Sequence, residues 1–287
     1  MDRRSELTEF LRACRARRRP EDLGLTPVAG RRRVPGLRRE ELAQAAALSV
    51  DYYVRLEQGR LRNPSESVVD AVAAALELDE SERHHLHNLA RPRRAQPASP
   101  AVRPVLQALL DAADVPAAVY SRSGQVLAWN ALAAALVTDF GALPPETRSM
   151  PRLVFLDPEV ASRFVDWEGK ARDIVAQLRM ATGVDPDDAE LAALVGELSV
   201  KSPDFVRLWA GHRVKEKCRG RHRYRHPIVG ELTLHYESFR LPDAPDQSLV
   251  CQFAEPGSPD EEALRLLASW IAEAGPGRLE RVNPQLR

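Results

Sequence analysis

The chain has 287 residues, 44% of them apolar and 29% charged, with 41 basic against 41 acidic side chains. That is the balance of a folded protein with room for two ordinary domains, and it excludes the disordered and fibrous classes. No apolar run approaches the roughly 20 residues that span a bilayer, the N-terminus lacks the apolar core of a secretory signal, and three scattered cysteines form no disulfide framework. A cytoplasmic protein without membrane contact is expected. The charge is unevenly spread: residues 1–62 carry fifteen Arg and no Lys against nine Asp and Glu, so the basic end is N-terminal, where phosphate contacts would need it.

In chain order, Leu7, Phe10, Leu11 and Cys14 recur at i, i+3, i+4 and i+7 and predict a first helix with one apolar face. A Pro- and Gly-punctuated stretch over 20–36 follows, then short helices over 38–46 and 50–58, the second closed by Gly59. Asn63-Pro-Ser-Glu66 supplies cap residues with a proline suited to the first turn of a helix running through Leu76. Asp79 and Glu82 have capping-box spacing and open a fifth helix to Ala90. Three prolines among small polar residues over 91–100 mark a linker, placed at 93–101, between an all-α domain over 1–92 and a second domain over 102–275, with a tail over 276–287.

Residues 36–60 read as two short helices, a tight turn and a closing glycine, which is helix-turn-helix spacing. Leu42, Ala43, Ala46, Leu48, Tyr53 and Leu56 form the inner surface of such a pair. Ser49, Val50, Asp51, Tyr52 and Arg55 stay outside at the leading end of the second helix, the end that enters the major groove. Tyr52 and Tyr53 are adjacent and cannot both face inward. A bare helical hairpin is the alternative. The arginine runs at 17–19 and 31–33 add to the basic surface and, beside this motif, are expected to meet phosphates.

Arg39-Glu-Glu-Leu-Ala43, Leu48-Ser49 and Arg55-Leu-Glu-Gln-Gly59 resemble the XRE helix-turn-helix group typified by phage repressors. The resemblance implies double-stranded DNA as partner, with Val50, Asp51 and Arg55 at base edges, and Arg39, Ser49 and Tyr52 at phosphates; Arg38 and Gln58 complete the implied DNA-binding set. Ala47 stands where that group usually has glycine, which adds strain if the turn needs a positive φ.

In the second domain, an apolar helix over 102–110 precedes two strands between Ala117 and Trp129 joined by a Ser-Gly turn, and a helical block extends over 130–212. Strand signals return over 213–225, 231–241 and 247–255, giving a five-stranded antiparallel sheet with helices on one face, an α+β arrangement. The words Leu127-Ala-Trp-Asn130, Phe155-Leu-Asp-Pro158, Asp166-Trp-Glu168, Ser202-Pro-Asp-Phe205, Leu208-Trp209, His226-Pro227 and Ala254-Glu-Pro-Gly-Ser258 resemble the MmyB-like ligand-binding domain. That resemblance implies a PAS-like fold and a small apolar ligand, fatty acids among the candidates. Trp129, Phe155, Trp167, Phe205, Trp209 and Tyr236 could wall a cavity, with Asn130, Arg152, Arg179 or His226 meeting a polar head; ordinary core is the other use of such aromatics.

His212, Cys218, His222 and His226 match no zinc spacing, and no catalytic motif is present, so no metal, no cofactor and no enzymatic activity are expected. The competing reading of the second domain is a protein-interaction or assembly module without a small-molecule ligand. A homodimer is expected from the need to read two half-sites about 34 Å apart.

Overall fold

The computed structural model describes residues 3–23, 36–61, 64–91, 101–185, 188–211 and 218–274. The arginine run at 31–33, Asn63, His212, nearly all of the expected linker and the tail over 276–287 lie outside them. Two compact units are present: Met1–Gln96 with Arg179–Gly196 and Arg207–Glu216, and Pro97–Leu178 with Glu197–Val206 and Lys217–Arg287.

The first unit holds α1 (Arg3–Arg17), α2 (Arg39–Ala45), α3 (Val50–Glu57), α4 (Glu66–Ala75) and α5 (Glu80–Ala90). Leu7, Phe10, Leu11 and Cys14 are all buried, as the helical spacing requires, and pack with Leu42, Tyr53, Leu56, Val69, Val72, Leu86, Leu89 and Met180. Asp79 and Glu82 make the expected capping box, with the Glu82 N–H donating to Asp79 at 2.8 Å and the Asp79 N–H donating to Glu82 at 3.3 Å. Pro64 departs from expectation. It precedes the cap instead of entering the first turn, because Ser65 is the N-cap and accepts from the Val68 N–H.

Three successive helices end in the same way. After α2, the Leu48 N–H donates to Ala43 and the Ala47 N–H to Gln44; after α3, Arg60 donates to Arg55 and Gly59 to Leu56; after α4, Leu78 donates to Ala73 and Glu77 to Ala74. This paired arrangement needs a left-handed residue. Gly59 supplies one at φ +62° without cost, whereas Ala47 at φ +53° and Glu77 at φ +48° carry a Cβ into that region.

The second unit is built on a sheet of β1 (Ala117–Ser121), β2 (Val126–Trp129), β3 (Arg219–His226), β4 (Gly230–Leu241) and β5 (Ala244–Phe253), in the order β2-β1-β5-β4-β3 with every pairing antiparallel. Five antiparallel strands with helices confirm the expected α+β arrangement. The alternation in β4 buries Leu232, Leu234 and Tyr236, while the opposite face of β3 exposes Arg219, Arg221, Arg223 and Arg225. Both sheet edges are closed by backbone bonds: Arg225 donates to Arg163 at 2.7 Å, Val165 to Arg223 at 2.9 Å, and Val126 to Arg148 at 2.9 Å.

α6 (Pro104–Asp111) lays Leu106 and Leu110 against Ala117, Val119 and Ala128. Between β2 and β3 run α7 (Ala131–Leu136), α8 (Met150–Leu156), α9 (Pro158–Ser162), α10 (Trp167–Val184), α11 (Ala189–Lys201) and α12 (Pro203–Trp209). A last helix, α13 (Pro259–Ala274), has no counterpart in the sequence reading although its first turn is acidic, as a helix start should be. It buries Leu267 against Leu132 and Ala135 of α7. Among the described residues no helix is long and apolar enough to cross a membrane.

Candidate DNA interface and ligand domain

The helix-turn-helix is held by a buried carboxylate that the sequence reading missed. Glu57, at the end of α3, has a fully buried side chain. It accepts from Arg39 Nε and Nη2 at 2.9 and 2.7 Å, from Arg15 Nε at 3.2 Å and from the Tyr53 hydroxyl at 2.9 Å. Burial alone would raise its pKa, but the hydrogen bonds from Arg39 and Tyr53 and the charge of Arg15 hold it below the usual carboxylate value. Arg15 also donates to the Leu37 carbonyl at 2.6 Å. Gly36 must lie beside that turn without a side chain, since a Cβ there would fall 2.5 Å from the Arg15 carbonyl oxygen. One part of it had a local signal: Glu57 stands four residues after the inward Tyr53, the helical spacing that brings two side chains together.

This clamp presents the leading end of α3 outward. Ser49 caps the helix, accepting from the Tyr52 N–H at 3.2 Å. Ser49, Asp51 and Arg55 are exposed, Val50 is 41% exposed, and Tyr52 is half-buried while Tyr53 is fully inside. Arg38 caps α2, its N–H donating to Glu41 at 2.7 Å, and Gln58 caps the end of α3; both are half-buried. The eight expected DNA-binding residues therefore sit on α2, α3 and their caps. Arg17 and Arg18, from the first arginine run, both have partners within the protein. Arg17 donates to Glu82 at 2.6 Å, and Arg18 covers the end of α4 through the Leu76 and Glu77 carbonyls at 2.9 and 2.6 Å, so both are occupied within the bundle. Burial pushes the Cys14 thiol up to about 12.

The expected ligand residues separate into groups. Phe155 makes edge contacts with Trp167 and Phe205 at centroid distances of 5.8 and 5.2 Å, and Trp167 donates to the Val154 carbonyl. Trp129 packs on Phe140 and beneath the Arg148 guanidinium. Tyr236 stacks on His222 at 4.8 Å, with Phe164 and Tyr224 beside them. Arg179 and Trp209 lie instead in the first unit, where Arg179 pairs with buried Glu6 and stacks over the Trp209 ring at 4.2 Å.

The polar candidates are engaged within the protein. Asn130 accepts from the Ala117 and Ala133 N–H groups and donates to the Leu110, Ala113 and Val115 carbonyls, which ties α6, β1 and α7 together. Arg152 donates to Glu197 at 2.8 Å. His226 donates from Nε2 to the Ala135 carbonyl at 2.9 Å and accepts at Nδ1 from the Ile228 N–H. Its pKa is lowered by burial and by the charge of Arg163, so the ring is neutral. Among the described residues no three His, Cys, Asp or Glu side chains are grouped to hold a metal.

The profile of a helix-turn-helix domain family matches residues 6–86. That of the MmyB-like transcription regulator ligand binding domain matches residues 102–267. None of the curated proteins compared with the chain matches it. Both matched domains are defined by binding and not by catalysis, and the second spans more than half of the chain. With the outward α3 and its clamp in the first unit and the five-stranded sheet in the second, the chain belongs to the MmyB-like family of DNA-binding transcription regulators.

Proposed function

We propose that the protein is a ligand-controlled regulator, in which a small apolar or fatty-acid-like molecule taken up by the second domain changes how the α3 pair of a homodimer grips its operator. The observation that carries this reading is the pairing, in one chain, of an XRE-type helix-turn-helix with the MmyB-like ligand-binding domain. In the proposed DNA complex, Val50, Asp51 and Arg55 read base edges, and Arg38, Arg39, Ser49, Tyr52 and Gln58 position the helix on phosphates and sugars. Exposure of Val50, Asp51 and Arg55 on one end of α3 supports the first assignment. In the ligand domain, the contiguous aromatic cluster of Phe155, Trp167 and Phe205 supports an apolar lining. Ligand and DNA would then be coupled as two sites of one equilibrium.

The test is a titration of the duplex upstream of the protein's own gene and of random duplex, with and without an organic extract of the host cells. A specific affinity that the extract changes is the expected outcome. Specific binding that no extract alters would favour the second domain as a protein-interaction module, a role for which Phe239 and Phe253, 53% and 39% exposed at the sheet, offer contact surface.

A further inference from the structure

The sequence offered three cationic candidates for a polar ligand head, and each has a partner in the fold: Arg152 has Glu197, Arg179 has Glu6, and His226 is neutral between two backbone groups. A different residue has the property that a ligand anchor needs. Arg163 follows α9 directly, and its side chain is only 7% exposed. The carboxylate beside it, Glu159, stands 4.0 Å from Nη2, at the outer limit of an ion pair, and is itself 37% exposed. Arg163 Nη1 is buried with no hydrogen-bond partner.

Sequestering a guanidinium from water costs far more than a distant, partly solvated carboxylate returns. Burial accordingly lowers the Arg163 pKa in spite of Glu159. The position is not a loose surface loop. The Arg163 carbonyl accepts from Arg225 of β3 at 2.7 Å, and the next side chain, Phe164, packs on Tyr224. Close by, His226 is bonded to Ala135, a member of the apolar cluster that α7 and α13 form with Leu132 and Leu267. The charge of Arg163 acts on that imidazole, so a buried positive group stands near a neutral ring that does not compete for a counter-charge and is itself bonded at the edge of an apolar cluster.

We propose that Arg163 is the anion-binding residue of the ligand domain, its Nη1 receiving the carboxylate or phosphate head of an otherwise apolar ligand. The assignment rests on the sensing reading above and gives it a chemical requirement: the ligand carries a negative head. A charge-assisted hydrogen bond in a buried site makes that head decisive for affinity.

The test measures binding of decanoate, decyl phosphate and 1-decanol to the full chain by calorimetry. Wild type is expected to bind one or both anions about 10- to 100-fold more tightly than the alcohol, and the anion that wins identifies the head group. Arg163→Met should bind all three alike, and Arg163→Lys, which keeps the charge and serves if the methionine variant does not fold, should retain part of the preference. An undiminished anion preference in Arg163→Met, or no change in Arg163→Lys where only that variant folds, would overturn the assignment. So would a wild-type chain that binds the alcohol as tightly as the anions, although sensing itself would survive that result. Wild type binding none of the three would instead overturn the sensing of an apolar amphiphile, and the anchor with it.

Discussion

Arg39 donates two hydrogen bonds to Glu57, at 2.9 and 2.7 Å, and so joins the first turn of α2 to the last turn of α3. Because the same carboxylate accepts from Arg15 of α1 and from Tyr53 of α3, a single buried charge fixes three helices of the DNA-binding bundle. In the proposed DNA complex Arg39 would have two duties, since its side chain is about one-third exposed while its nitrogens brace α3 through Glu57.

Removing the hub should cost more than removing any spoke. Glu57→Ala leaves the Tyr53 hydroxyl and two guanidinium groups without their acceptor and is expected to destabilise the chain by about 3 kcal/mol. Arg39→Ala, at a partly solvated position, should cost about 1 kcal/mol. Urea unfolding followed by circular dichroism measures both, and equal losses would refute the hub.

The same carboxylate sets a direction for pH. Its folded pKa lies below the unfolded value, so its contribution to stability is complete above the ordinary carboxylate pKa of 4.5 and is lost as pH falls through the lower folded value. Glu57→Gln should be less stable than wild type at neutral pH and should show a shallower decline on acidification. A decline as steep as in wild type would assign acid sensitivity to other groups.

The turn between α2 and α3 carries removable strain. Ala47 at φ +53° forfeits about 1–2 kcal/mol relative to a right-handed residue, and glycine returns part of that through greater freedom in the unfolded chain. Ala47→Gly is expected to stabilise the chain by about 0.5–1 kcal/mol while leaving DNA affinity unchanged at temperatures where both variants are folded. Thermal melts and anisotropy titrations read the two quantities separately.

The periodicities announced most of the architecture because they follow from burial. Leu7, Phe10, Leu11 and Cys14 could form one apolar stripe only as a helix, and the alternation in Glu231-Leu-Thr-Leu-His-Tyr could bury one face only as a strand. The exposed end of α3 was legible for the same reason. Three things were less so. Glu57 looked like any helical glutamate, since nothing local reveals that Arg15, 42 residues earlier, reaches it. The amide of Asn130 read as a polar group available to a ligand, whereas distant carbonyls occupy it. Arg163 drew no notice in sequence, because what distinguishes it is the lack of a partner for Nη1, a property of packing alone.

Glu6 and Arg179, 3% and 0% exposed, form an ion pair across 173 positions of sequence within the first compact unit. Burial raises the Glu6 pKa and lowers that of Arg179, and the charge of each partner opposes that push on the other. Arg179→Met should destabilise by about 3–5 kcal/mol, and adding Glu6→Gln should recover more than 1 kcal/mol of it, the coupling expected of neighbours. Strict additivity in this cycle would show that the pair contributes no mutual stabilisation.

The most direct measurement is selection of bound sequences from a random duplex pool by wild type and by Arg55→Ala. The account predicts that wild type enriches a paired motif whose half-sites are centred about one helical turn or a multiple of it apart, and that Arg55→Ala loses preference at one position of each half-site with a cost of about 1–3 kcal/mol. A pool from which wild type enriches nothing, or from which both proteins enrich the same motif equally, would contradict the placement of the leading end of α3 against the bases.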